Sequence, residues 1–197
     1  MVSLTILVIA TASYAQFASV SADLNSIATH VSSLDTELKA FPTSGANIAS
    51  ALAIHAQATG LASALTTAAA AVSKAGPVTD AQAQQFLTSI QGFESAILDA
   101  LRQLVAKKPG FVSLPISGAS AIIAQDIAQV QTNAKDFENA LIADAPPHLL
   151  PTAASMTSAI DAALASASAA YSKGRLSISG LVGIFASGCH YSTGTLI

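Results

Sequence analysis

Residues 21–41 read SADLNSIATHVSSLDTELKAF. Leu24, Ile27, Val31, Leu34, Leu38 and Phe41 recur at intervals of three and four, while Asp23, Asp35, Glu37 and Lys39 fall on other faces. That interval matches the turn of an α-helix, so the stretch predicts an amphipathic helix with one apolar stripe. The same pattern recurs downstream. Ile48, Leu52, His55, Ala62, Leu65, Ala69 and Val72 form a second stripe that stops at Gly76-Pro77, a strong helix terminator. Thr79 and Gln82 make a capping box for a third helix, whose stripe runs Phe86, Ile90, Phe93, Ile97, Leu101, Leu104 and halts at Lys107-Lys108-Pro109-Gly110. The two lysines suit the negative end of that helix. A fourth helix begins near residues 115–117 with Ile116, Ile123, Ile127, Val130, Ala134, Phe137 and Leu141, and ends before Pro146-Pro147. A fifth runs from about residue 152 through Met156, Ile160, Leu164 and Ala167 to Tyr171, with Gly174 as its C-cap.

No alternating apolar and polar run bounded by hairpin turns precedes Leu176, so strands are not expected. The fold class is all-α: an antiparallel five-helix bundle with short connections. The segment between Lys39 and Lys74 carries no charged side chain. It reads as the central helix of the bundle, with a membrane span as the alternative.

The flanks suggest processing. Residues 1–15, MVSLTILVIATASYA, hold a short apolar run followed by small residues at Ser13 and Ala15, the layout of a secretory signal peptide cut before Gln16. A short buried helix or a membrane anchor is the alternative. The expected organisation is a signal peptide at 1–15, a helical domain at 16–175 and an irregular, uncharged apolar tail at 176–197. A lipid-anchor signal with its attachment site near Ser172 or Gly174 is the alternative for the tail. Cys189 lies in this tail as a free or intermolecularly paired thiol. No Asn-x-Ser/Thr sequon occurs, so any glycan would be O-linked.

Composition removes several functions. Of 197 residues, 52% are hydrophobic and 10% charged, with a net charge of -3. Globular chains average about 25% charged residues. Neither disorder nor nucleic-acid binding fits, because the first needs few apolar residues and the second clustered Lys and Arg. His30, His55, His148 and His190 are isolated and a single cysteine is present, so no metal site or cofactor is expected. Glu94 with Asp99, and Asp136 with Glu138, lack the same-face spacing of an acid pair and read as solvated charge. No nucleophile elbow or phosphate loop occurs. No catalytic residue is expected, and a secreted hydrolase would need a nucleophile the sequence does not display.

Asp23-Leu24-Asn25-Ser26-Ile27, Leu34-Asp35, the capped helix opening Val78-Thr79-Asp80-Ala81, and Ala-Ser-rich helices throughout resemble the fungal hydrophobic surface-binding protein A family and related cell-wall galactomannoprotein domains. The resemblance covers about residues 20–174. It implies a small secreted helical protein, extracellular or in the cell wall. It also implies adsorption to hydrophobic solids, recruitment of a secreted esterase, or enclosure of a long-chain fatty acid in a five-helix bundle. A structural, O-glycosylated mannoprotein without a specific lipid is the alternative.

Two packings satisfy five such stripes: they fill one another, or they leave an apolar gap. An acyl chain of about sixteen carbons gains on the order of 10 kcal/mol by burial before entropic costs. If the bundle encloses such a lipid, Phe86, Ile90, Phe93, Ile97, Ile123, Ile127, Val130 and Phe137 supply its walls from the third and fourth helices. His55 or Gln57 is the candidate polar anchor, because the uncharged second helix has few other donors. Low charge and the uncharged span at 40–73 also predict adsorption to oily surfaces that survives high salt.

Overall fold

Each stripe becomes a helix, and the breakers between stripes set its ends. In the computed structural model, which describes residues 2–116 and 118–172, these are α1 (Val2–Ala40), α2 (Ile48–Ala75), α3 (Asp80–Ala106), a short α4 (Lys108–Val112), α5 (Ala119–Ala143) and α6 (Leu150–Ser172). Asn47 caps α2 by accepting from the Ser50 amide, and Gly76 closes it with φ 66°. The Thr79 and Gln82 capping box is formed as the spacing predicts. A single 3-10 turn, Pro147–Leu149, leads into α6, two residues ahead of the predicted start. The described residues contain no strand. Gly174 and the tail at 176–197, with Cys189 and His190, lie outside them.

The long helices form a ring. α1 packs against α2 and α3, α2 against α5, α5 against α6, and α6 against α3. Consecutive helices run antiparallel. A lower core holds Leu38, Phe41, Ile54, Ala100, Leu104, Ile123 and Tyr171, and an upper core holds Val20, Leu24, Leu65, Val72, Phe86 and Phe137. Alternation along the chain points the C-termini of α1, α3 and α6 downward, and the ring order makes these three helices neighbours.

Three expectations are corrected. First, α2 is not central. Its Ala and Ser content gave no contrast between faces, and Ile54 takes the interior with Ala58, Leu61 and Leu65. Leu52, two residues before Ile54 and so on the opposite side, is 58% exposed. α2 is long and apolar enough to span a bilayer, yet it forms one stave of the ring. Second, Lys107-Lys108-Pro109-Gly110 does not simply end α3. It restarts as α4 with proline near the N-terminus, a tolerated position. Third, the two lysines serve neighbours. Lys107 Nζ donates to the carbonyls of Lys39 and Phe41 at the end of α1, and Lys108 Nζ donates to the Ala170 carbonyl of α6. Three parallel helices converge their negative ends here, and cations relieve that convergence.

Candidate functional site

A ring of five helices has a hole. With neighbouring axes about 9–10 Å apart, a regular pentagon sets each axis about 8 Å from the centre. A helix radius of about 5–6 Å with side chains then leaves a lumen about 2–3 Å in radius. A polymethylene chain fits such a lumen. The structure contains this space as a cavity of about 180 Å³, lined from all five long helices, for example by Leu34 of α1, Ala58 of α2, Ile97 of α3, Val130 of α5 and Ile160 of α6.

Phe86, Ile90, Phe93, Ile97, Ile123, Ile127, Val130 and Phe137 all line it. Phe86, Ile123, Ile127 and Phe137 are buried, whereas Ile90, Phe93, Ile97 and Val130 keep partial exposure while facing inward. Residues that face a core yet keep accessible surface mark an interior whose stripes do not fill one another. Ile142 lines the cavity and is itself 42% exposed, so the upper end of α5 borders a mouth.

The two proposed anchors lie elsewhere. Gln57 Oε1 is 3.0 Å from His30 Nδ1 across the α1–α2 seam, on the side where Gly60 lets the His30 ring lie against α2. His55 sits on the α2–α5 seam with its Nδ1 2.8 Å from Asp126 Oδ2. Neither lines the cavity; the polar side chains that do are Asp126, Glu138 and Thr157.

Glu138 departs from the sequence expectation of solvated charge. It is buried rather than solvated, and accepts through Oε2 from Lys135 Nζ at 3.0 Å, while Lys135 also donates to Asp161 at 3.1 Å. Burial raises the Glu138 carboxyl above the ordinary carboxylate range, with Lys135 opposing and Asp161 reinforcing. Burial likewise raises Asp126 against the pull of His55, and raises Asp23. On the same α2–α5 seam, Asn133 is buried and donates from Nδ2 to the Ala62 carbonyl and Thr66 Oγ1. Those bonds fix the rotation of α5 and turn Val130 and Phe137 inward.

The raised acids set a pH dependence. A carboxyl whose folded value exceeds its unfolded value near ~4 holds its proton more tightly in the folded chain. Its contribution to stability is therefore present in acid and lost as pH rises through the raised value. The Tm at pH 5 should equal or exceed that at pH 7, and Asp126→Asn with Glu138→Gln should flatten the profile. Scanning calorimetry across that range checks it; a wild-type Tm falling steadily from pH 7 to pH 5 contradicts it.

No group of three His, Cys, Asp or Glu side chains stands at metal-holding spacing among the described residues.

The profile of a family described as hydrophobic surface binding protein A matches residues 17–143. Among solved structures, the chain is similar to Afmp4p in complex with palmitic acid, at 27% identity and a TM-score of 0.71, over 79% of this chain and 99% of that one. It shares its fold with ligand binding domain 2 of the Penicillium marneffei MP1 protein complexed with multiple arachidonic acids, at 16% identity and a TM-score of 0.69, over 78% and 94% of the two chains. Domain 1 of the same protein, complexed with arachidonic acids, matches at 15% identity and a TM-score of 0.68, over 77% and 95%. No curated protein matches the chain in sequence.

Proposed function

The chain belongs to the hydrophobic surface binding protein A family, and on that premise we propose that it is a non-catalytic lipid carrier that holds a long-chain fatty acid or other single-chain lipid along the axis of its helix ring. The observation that carries this reading is the cavity itself: all five long helices contribute to its wall, and that wall is almost wholly apolar. Each methylene of an acyl chain that leaves water for this apolar lumen gains roughly 0.8 kcal/mol. The palmitic acid of Afmp4p supports the ligand class. Phe86, Ile90, Phe93, Ile97, Ile123, Ile127, Val130 and Phe137 are the residues proposed to contact the chain.

The reading includes secretion, with residues 1–15 as a leader, 16–175 as the lipid-binding domain and 176–197 as a tail. Cleavage before Gln16 keeps Phe17, whose ring stacks on Phe86 at 5.1 Å between centroids, within the mature chain. Native mass spectrometry of protein secreted with its own leader tests both parts. The expected species starts at Gln16 and carries the mass of a copurified lipid that denaturation releases. Secreted protein still starting at Met1 defeats the leader assignment, and a lipid-free protein that takes up no long-chain fatty acid on titration defeats the carrier.

Adsorption to hydrophobic surfaces is a second reading, favoured by a specific patch. His55 and Asp126 bridge the parallel helices α2 and α5. One turn back on each, Leu52 and Ile122 are exposed, as is Ile48. Replacing both Leu52 and Ile122 by lysine adds desolvation where an oily solid would dock. It should reduce retention on an aliphatic polyester film at 1 M salt by about tenfold or more, an effect of at least about 1.4 kcal/mol, with the fold intact. Equal retention of variant and wild type removes this patch as the adhesive face.

A further inference from the structure

The ionisable part of the cavity wall carries a single sign. Asp126 and Glu138 line the cavity, and no lysine, arginine or histidine does so among the described residues. Glu138 is 7% exposed; Lys135 engages its Oε2, and its Oε1 has no hydrogen-bond partner among the described residues. Lys135 is shared with Asp161, so two carboxylates face one ammonium and the cluster keeps a negative charge.

Thr157 stands at the same level. α5 and α6 run antiparallel and are tied by Lys135 and Asp161. One turn up α5 from Lys135 is Glu138, and one turn back along α6 from Asp161 is Thr157; both line the cavity. Thr157 donates its hydroxyl proton to the Ala154 carbonyl at 3.2 Å, leaving the oxygen lone pairs as acceptors. One turn beyond Glu138, Ile142 borders the mouth. The other packed elements bring no cation to this point. His55 of α2 meets α5 at Asp126, about 18 Å lower by helical rise. By the same register Lys74 stands level with Ala145, about 10 Å above Glu138, and His148 of the 3-10 turn lies higher still; both are exposed, and the α4 lysine Lys108 is engaged at the lower end.

A lipid whose tail fills the lumen and whose head stops at this level comes beside Glu138 and Thr157, while the ammonium of Lys135 is already shared between Glu138 and Asp161. We propose that Glu138 and Thr157 form a head-group site selecting single-chain lipids whose head donates a hydrogen bond: a long-chain alcohol or amine, and a fatty acid only in its protonated form. An ionised carboxylate brings a second negative charge beside Glu138 and offers neither Glu138 nor Thr157 a hydrogen-bond donor. This inference rests on the lipid-carrier reading of the cavity.

Calorimetric titration of the full chain with dodecanol, dodecanoate, dodecylamine and dodecyltrimethylammonium tests it. At pH 8, dodecanol should bind at least about tenfold tighter than dodecanoate, and the gap should close toward pH 5. Glu138→Gln should raise dodecanoate affinity at pH 8 by about tenfold while changing dodecanol little. An unchanged alcohol-to-carboxylate ratio in this variant overturns the proposal, since an apolar cavity alone would prefer the less polar head in both proteins. The two cations give an arm that needs no variant. They share charge and chain, but only the amine donates, so it should bind at least about tenfold tighter, and equal binding overturns the site. Binding of none of the four ligands refutes the carrier itself, an outcome distinct from loss of head-group selection.

Discussion

Replacing Gly110 by alanine is expected to lower the Tm by roughly 6–12 °C, a large stability effect for one added methyl. Gly110 is the third residue of α4, where that helix passes under the end of α1. A Cβ there would overlap the Pro42 carbonyl oxygen and stand 2.9 Å from Cε1 of Phe41. Neither neighbour can yield freely. Phe41 is 1% exposed and stacks on Phe111 with centroids 4.2 Å apart, and its carbonyl accepts from Lys107. Gly110 is itself held by its N–H, which donates to the Lys107 carbonyl, and by the Ser113 hydroxyl, which donates to its own carbonyl. Overpacking against a clamped backbone belongs at the upper end of its usual range, about 3 kcal/mol. Gly92 is the contrast. It lies inside α3 with nothing within 4 Å of its would-be Cβ, so Gly92→Ala should stabilise by about 0.5–1 kcal/mol. Thermal unfolding followed by circular dichroism compares the two. A Gly110→Ala protein melting with the wild type would mean that α4 does not clamp the lower end of the ring.

That corner shows where sequence reasoning stops. Lys107-Lys108-Pro109-Gly110 has the composition of a terminator, and α3 does end there. What the composition does not carry is the approach of α1 from the far side of the lower end, which requires a residue without a side chain. The helices with bulky stripes were legible. Phe86 through Leu104 fixed the inward face of α3 because Phe and Ile contrast sharply with Gln, Ser and Glu. In α2, whose variation is mainly among Ala, Ser and Thr, the contrast is too weak to set a phase, and the expected face was turned so that Leu52 pointed inward. Its missing charge suggested a central position. A central helix needs apolar residues all round, however, and Gln57, Ser63, Thr66 and Thr67 already argued for a helix with an outer face.

The wall of the cavity was legible for the same reason as the α3 and α5 stripes, while its polar residues were not. His55 and Asp126 meet across 71 positions of sequence, and no local pattern encodes that encounter. Glu138 had a weak signal. It follows Phe137 and lies four residues after Ala134, on the edge of the apolar stripe, so its long side chain could be drawn inward if the cation came from one turn earlier, at Lys135. Set against Asp136, two residues away and on another face, Glu138 reads as solvated charge, and the inward placement depends on Lys135 instead.

Loss of lipid binding by a variant that still folds gives the sharpest test of the lumen. Ile127 and Ala134 lie two turns apart on the α5 face that lines the cavity, near the middle of its length. Ile127→Phe with Ala134→Phe directs aromatic bulk toward the lumen, and because Ile127 is buried among core neighbours the pair should cost about 1–3 kcal/mol of stability while the bundle still folds. An acyl chain threading the ring would lose contact over about four methylenes. At roughly 0.8 kcal/mol each, the deficit is about 3 kcal/mol, close to a hundredfold in affinity. Gln129→Phe, on the exposed side of the same helix, should leave affinity unchanged because it meets solvent. Titration of a long-chain fatty acid into the three proteins, with helical content recorded for each, distinguishes the cases. Weakening confined to the inward variant locates the ligand in the lumen. Equal binding by all three means that lipid rides on an outer face and that the ring, although hollow, is not the vessel.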